Sequence, residues 1–372
     1  MPESNTTNQR RTSWGNALYT GEKSYGIVAA KAKFFIASAL ICLICIGFLS
    51  FKGLNLGIDF RGGSEFTVSN VQDNSQQLAI EAVHEFFPDD EPLVSNVGDN
   101  SIRVQTGVIE DQDKVNQLRD KLAEKYGVTS EDVSNTAIGP TWGTSVASKA
   151  LLGLVVFLIV CAIFMSFYFR SWRMALSGII ALMHDLIITV GFYALVGWEV
   201  TPASVIGFLT ILGYSMYDTV VVFDKVRENT RDVEKQTRST YADLANLAVN
   251  QTLVRSINTT VVALLPIGAI LVFGVFLMGA GTLRDIALAL FVGMAVGAYS
   301  SIFLATPLEV AMRSTDKRIR ASNAKVFAAR EALKSQLSES GQDISEEAVN
   351  SAKLLPGKRL GNEVQPRKRR KL

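Results

Sequence analysis

The chain has 372 residues, 48% of them hydrophobic and 19% charged, with a mean hydropathy of +0.23. Soluble domains carry roughly 25% charged residues, so this composition is short of water-facing surface. Its apolar residues fall into long unbroken runs rather than amphipathic stripes, which excludes a soluble enzyme and points to a bilayer protein. The net charge of +2 hides unlike blocks: residues 1–33 carry +3, 52–149 carry −8, 150–312 carry −1 and 313–372 carry +8.

Residues 1–32 form a polar N-terminal segment. The first apolar run, 33–51, has no small-residue cleavage site after it and reads as a retained membrane helix. Its Cys42 and Cys45 form a CxxC, but like Cys161 they lie in apolar runs. They read as small residues facing lipid or helix, with no disulfide framework.

The acidic block 52–149 reads as a small separate domain. A strand pattern at 57–69 leads to a helix at 75–87, strands at 92–97 and 101–106, a helix at 110–126 and a strand at 131–139. This β-α-β-β-α-β order predicts a ferredoxin-like α+β domain. Five further apolar runs follow at 150–169, 174–196, 201–223, 256–278 and 284–310, each long enough to cross about 30 Å of hydrocarbon at 1.5 Å per residue. The predicted fold class is an α-helical polytopic membrane protein with six transmembrane helices, five of them forming a bundle over 150–310. Residues 311–372 read as a basic tail with one helix at 321–338 and disorder beyond it.

Lysine and arginine mark every second connection: Lys31 and Lys33 before the first helix, Arg170 and Arg173 in the second, Lys225 to Arg238 in the fourth, Arg313 to Arg320 after the sixth. The turns near 197–200 and 279–283 have none. By the positive-inside rule both termini face the cytoplasm and the α+β domain faces outward. The terminal cluster Arg367–Lys371 suits anionic lipid or ribosomal RNA, with a plain solvated tail the commonest outcome for such a run and no specific nucleic-acid site implied.

No Walker A sequence is present, and two histidines with three membrane cysteines do not make a metal site; no cofactor is expected. Ionisable groups inside the membrane are therefore the informative residues, because the bilayer makes them costly. Asp218 lies deep in the fourth helix, where a carboxyl able to be charged or neutral suits proton carriage; packing glue is the plainer alternative. Arg255, near the start of the fifth helix, is its natural partner, the alternative being a snorkelling arginine. His184-Asp185 falls halfway along the third helix and is a plausible relay step. Glu199, Arg284, Asp285 and Glu309 sit at helix boundaries and read as anchors. Gly293 and Gly297 form a GxxxG that permits close helix contact, and Pro266 is expected to kink the fifth helix.

Gly57-Ile58-Asp59-Phe60-Arg61-Gly62-Gly63 after the first helix, the mid-membrane His184-Asp185, and Gly213 to Asp224 running into Lys225-Val226-Arg227-Glu228-Asn229 resemble the SecF family. Gln251-Thr252-Leu253 before Arg255 and Ser256 to Thr260 after it fit the same resemblance, which spans about 30–310. It implies an RND-type six-helix half in the bacterial cytoplasmic membrane. It also implies a heterodimer with SecD, beside SecYEG and a YajC-like small subunit, acting on unfolded exported polypeptide. Such a complex would use the proton motive force to assist export. Asp218 and Arg255 match the proton-coupling positions, and Asp59, Gly62 and Gly63 belong to the family motif. Two other readings stay open: half of a proton-driven exporter of drugs or lipids, and an intramembrane aspartyl protease. The second lacks a GxGD sequence, and Asp185 in Met183-His184-Asp185-Leu186 is a poor substitute. A non-enzymatic translocation subunit is the expectation.

Overall fold

The computed structural model describes residues 14–21, 23–98, 100–273 and 281–339. A short helix, α1 (Trp14–Tyr19), precedes the first membrane helix, α2 (Lys31–Phe51). A two-residue strand, β1 (Asn55–Leu56), and a helical turn, α3 (Ile58–Arg61), lead into the α+β domain. That domain contains β2 (Gly63–Ser69), α4 (Gln76–Phe86), β3 (Leu93–Asn96), β4 (Ser101–Thr106), α5 (Gln112–Tyr126) and β5 (Val133–Ile138). The remaining spans are α6 (Pro140–Phe169), α7 (Trp172–Val196), α8 (Pro202–Thr230) and α9 (Tyr241–Phe273), with strand β6 (Glu199–Val200) between α7 and α8. The last is composite: α10 (Gly281–Ser300), a π-helical segment (Ser301–Ala305) and α11 (Thr306–Arg313), followed by α12 (Lys317–Glu339). Among the described residues, six helices are long and apolar enough to cross a membrane.

The four-stranded antiparallel sheet runs β3-β4-β2-β5, so the first and third strands of the domain are central and the fourth is outermost beside the first. This is the ferredoxin-like order expected from the sequence. Alternation along β2 sends Phe66 and Val68 inward, where they meet Ile102, Val104, Ala79, Val83, Leu118 and Leu122 in one fully buried core. Helix α5 starts at Asp111, whose side chain accepts from the Asp113 N–H, and stops at Gly127 in the left-handed conformation. Both ends thus carry the signals that satisfy orphaned backbone groups.

Three elements depart from the sequence reading. Residues 57–61 are not strand: Ile58 to Arg61 make one helical turn that ends at Gly62, φ +78°. Helix α6 begins at Pro140, because the last strand of the domain runs straight into it with proline at the first helical turn, a favoured position. Helix α9 begins at Tyr241, well before the apolar run starts. Its first four turns are amphipathic, burying Tyr241, Ala245, Ala248, Val249, Thr252 and Leu253, and reciprocal hydrogen bonds between Thr240 and Asp243 cap it. A hydropathy run marks only lipid-facing length and misses such an extension. The basic tail opens with α12, which docks on the α8–α9 connection. Ser322 donates to Val233 O at 2.9 Å and Arg330 pairs with Asp243 at 2.6 Å. The remaining tail, 340–372, and with it Arg367–Lys371, lies outside the described residues.

The N-terminal segment is also held. Tyr25 N–H donates to Asn250 Oδ1 at 2.8 Å and Val28 N–H to Asn246 Oδ1 at 3.1 Å, while Leu18 is buried against Val222, Val249 and Ile302. Helix α1, the α6–α7 turn, the α8–α9 connection and α12 therefore gather at one end of the bundle. The α+β domain and the α7–α8 turn occupy the other, joined by the parallel pair Asn55↔Glu199 and Leu56↔Val200.

Candidate functional site

Two carboxyl groups are enclosed in the middle of the bundle. Asp185, on α7, is 0% exposed, and Asp218, on α8, is 5% exposed. Asp185 Oδ2 accepts from Ser215 Oγ at 2.5 Å and from Ser300 Oγ at 2.7 Å, and its Oδ1 lies 3.0 Å from His184 Nδ1. Asp218 Oδ1 accepts from Ser256 Oγ on α9 at 2.7 Å, and its Oδ2 accepts from Ser301 Oγ. Four helices thus converge through hydroxyl groups. With Nδ1 donating to Asp185, the His184 ring leaves Nε2 as a buried lone pair without a partner among the described residues.

Close backbone approach makes this possible. Helix α10 packs on α8 through Gly293, where an added Cβ would run into the Ile211 side chain, and through Gly297, where it would lie 3.0 Å from Ser215 Cβ and 3.6 Å from Asp185 Oδ2. The GxxxG read from the sequence is the seam that brings α10 against Ser215 and Asp185. Pro266 lies inside α9, which continues through it as one helix.

Arg255 does not pair with Asp218. It is exposed, its Nη2 lies 3.5 Å from the Tyr217 hydroxyl, and no ion pair joins it to an acid among the described residues. The correction is a matter of helix phase. One residue on α9 is a rotation of about 100°, so Ser256 faces the bundle and Arg255 does not.

Asp59, Gly62 and Gly63 form a different place, the joint between domain and bundle. A Cβ on Gly62 would lie 2.9 Å from Pro140 Cα, and one on Gly63 would lie 2.6 Å from Thr106 O. Phe60 enters the apolar cluster of Tyr193, Val200, Phe208 and Ile211. Beside it, Glu199 accepts from Gln105 Nε2 at 2.7 Å and pairs with Arg103 at 3.5 Å, and Arg103 also pairs with Glu65 at 3.5 Å. Burial holds the Asp59 carboxyl above its ordinary range; the Glu199 charge adds to this and the Arg103 charge opposes it.

Sequence reasoning missed two features. Ser300 and Ser301 carried no signal beyond small size in an apolar run. Glu309, read as a boundary anchor, is 0% exposed and accepts both from the Tyr241 hydroxyl, at 2.9 and 3.0 Å, and from Arg313 Nε at 2.9 Å. The arginine four residues later was the available cue. Among the described residues, no three His, Cys, Asp or Glu side chains lie close enough together to hold a metal ion.

A six-helix membrane bundle with carboxyl groups enclosed at its centre and an α+β domain inserted after its first helix defines a class of polytopic membrane protein. Comparison with known proteins gives the family. The model for protein export membrane protein SecD/SecF, C-terminal, matches residues 118–315, and that for the SecD/SecF GG motif matches 47–69. The chain is 45% identical over 331 residues to protein translocase subunit SecF of Streptomyces coelicolor, covering 88% of each chain. It is 41% identical to the Mycobacterium tuberculosis SecF, covering 82% of this chain and 70% of that one. It superposes on the crystal structure of SecDF, a translocon-associated membrane protein from Thermus thermophilus, with TM-score 0.69 and 30% identity. That match covers 79% of this chain and 39% of the longer one. The chain belongs to the SecF family of protein-export membrane proteins.

Proposed function

We propose that this chain is a non-enzymatic subunit of the Sec protein translocase that couples proton movement to protein export. The observation that carries the reading is the central pair of carboxyl groups, Asp185 and Asp218, held by serine hydroxyls and a histidine with no lysine or arginine as counter-ion among the described residues. An uncompensated carboxylate is expensive inside a bilayer, which makes these two groups the candidates for carrying a proton. No hydrogen bond joins the two carboxyls directly, which leaves the aspartyl-protease reading without a shared-proton dyad.

The partner is a SecD-type half. The Thermus SecDF chain carries both names, and this chain accounts for 39% of it. SecYEG, a YajC-like small subunit and the unfolded exported polypeptide complete the assembly. The end bearing α1, Arg170, Arg173 and α12 faces the cytoplasm, because the basic connections gather there. Arg255, exposed beside Tyr217, is free to meet a group on the partner during the cycle.

The test is Asp218→Asn in inverted membrane vesicles. Stimulation of export by an imposed proton gradient is expected to be lost while the variant still co-purifies with its SecD-type partner. Undiminished stimulation would remove Asp218 from the coupling.

A further inference from the structure

Ser300 and Ser301 stand where α10 gives way to the π segment, a helical irregularity frequent at functional sites. Each hydroxyl has two acceptors. Ser300 Oγ reaches Asp185 Oδ2 at 2.7 Å and the carbonyl of Gly297, three residues back, at 3.2 Å. Ser301 Oγ reaches Asp218 Oδ2, and the carbonyl of Ala298 at 3.2 Å. A hydroxyl has one proton to give and two lone pairs, so each serine serves one acceptor at a time. Ser215 and Ser256 differ: among the described residues their hydroxyls reach only Asp185 Oδ2 and Asp218 Oδ1.

We propose that Ser300 and Ser301 are reversible donors that let each buried carboxyl be either charged or protonated with every polar atom bonded, while Ser215 and Ser256 are fixed donors. With Asp218 charged, Ser256 and Ser301 both donate to it. When a proton arrives, the new O–H bond forms on Oδ2. The acid then donates to Ser301 Oγ, and the Ser301 hydroxyl turns its own proton onto Ala298 O. Ser256 has no second acceptor, so it stays on Oδ1 and directs the proton to Oδ2. No serine O–H bond breaks; one hydroxyl rotates. The geometry removes the cost of leaving a buried polar group unpaired in either state. Titratable groups lie on every element around it, among them His184 and Asp185 on α7, Tyr217 and Asp224 on α8 itself, Arg255 on α9, Arg284, Asp285 and Tyr299 on α10, and Glu309 and Arg313 on α11; among the described residues none of them bonds to Asp218. Both serines are positioning residues in this scheme, whose purpose rests on the proton-coupling reading.

The sequence supplies a direct probe. Ala298-Tyr299 is the only Ala-Tyr pair in the 372 residues, so ¹³C-carbonyl alanine with ¹⁵N tyrosine gives a single carbonyl–amide correlation in solid-state NMR of the full chain in bilayers. Asp218→Asn stands in for the protonated acid. Ser256 must find an oxygen, so the asparagine amide nitrogen faces Ser301. The Ala298 carbonyl resonance is expected to move downfield from wild type at alkaline pH, as it gains the Ser301 proton. In Asp218→Asn with Ser301→Ala it should return. An unmoved resonance in Asp218→Asn overturns the proposal, as does a displacement that survives Ser301→Ala. If the resonance moves as expected while Asp218→Asn leaves gradient-stimulated export intact, the hydroxyl reversal stands and the coupling reading fails. If export fails and the resonance is static, the reverse holds.

Discussion

Ser256 Oγ donates to Asp218 Oδ1 at 2.7 Å, and this bond ties the fifth membrane helix to the fourth at the level of the buried acid. The residue before it, Arg255, contributes nothing to that tie. The two neighbours on α9 therefore differ: Ser256 bonds into the bundle, and Arg255 lies exposed on its surface.

This predicts opposite responses to two alanine substitutions. Ser256→Ala should lower the stability of the purified chain by about 0.6–1.7 kcal/mol, the magnitude of interhelical hydrogen bonds in membrane bundles. Arg255→Ala, on an exposed face, should change it by less than about 0.5 kcal/mol. Thermal or denaturant unfolding in mild detergent measures both. An Arg255→Ala effect as large as that of Ser256→Ala would show that the arginine does reach a buried partner in this chain alone.

The α8–α10 seam gives a second prediction. Gly293→Ala drives a methyl group into the stiff, β-branched Ile211, an overpacking cost of about 1–3 kcal/mol. Gly213, on the same helix as Ile211, has nothing within 4 Å of an added Cβ. Gly213→Ala is expected to be neutral or stabilising by up to about 1 kcal/mol from helix propensity. Ile211→Ala by itself opens a cavity in a buried cluster, but on that background Gly293→Ala should cost less than it does alone, since the space it requires has been vacated. Unfolding midpoints of the wild type, the three single variants and the double variant give the order. Equal behaviour of the two glycine variants would mean that the seam is looser than the contact geometry implies.

Much of this arrangement was legible before any coordinates. Period-2 and period-3.6 patterns separate the domain from the spans, and the basic connections after the second and fourth spans are found with α12 at one end of the bundle. Asp185 and Asp218 stand out because a bilayer excludes charge. What stayed hidden depends on helix phase and pairing across distant segments. Whether Arg255 or Ser256 faces Asp218 is a difference of one residue at the start of a helix whose true beginning, Tyr241, lies outside the apolar run. Ser300 and Ser301 look like filler until α7 and α8 are brought against them. Glu309 looks like an interfacial anchor until Tyr241 and Arg313 close over it. The apolar run locates a span and leaves its inward face undetermined wherever small polar residues, and not charges, carry the contacts.

The joint at Asp59 yields a prediction about pH. Burial, reinforced by Glu199, holds this carboxyl above its ordinary range when the loop is docked. A carboxyl whose folded-state pKa is raised binds its proton more tightly in the folded form. Its contribution is therefore fully present below the ordinary carboxylate value and is lost as pH rises through the raised folded value. Docking of Gly57–Gly63 between Pro140 and Glu199 should loosen over that window and be constant above it. Hydrogen exchange of the backbone amides of residues 57–63 in the full chain, followed from acidic to neutral pH and corrected for intrinsic exchange rates, measures this. Protection should fall with rising pH in the wild type. In Asp59→Asn it should stay level, and at neutral pH it should exceed the wild type, because the uncharged side chain no longer has to ionise beside Glu199. A wild-type profile that is already level, or one in which Asp59→Asn loses protection at neutral pH, would show that the charged form of Asp59 is the one the joint is built to hold.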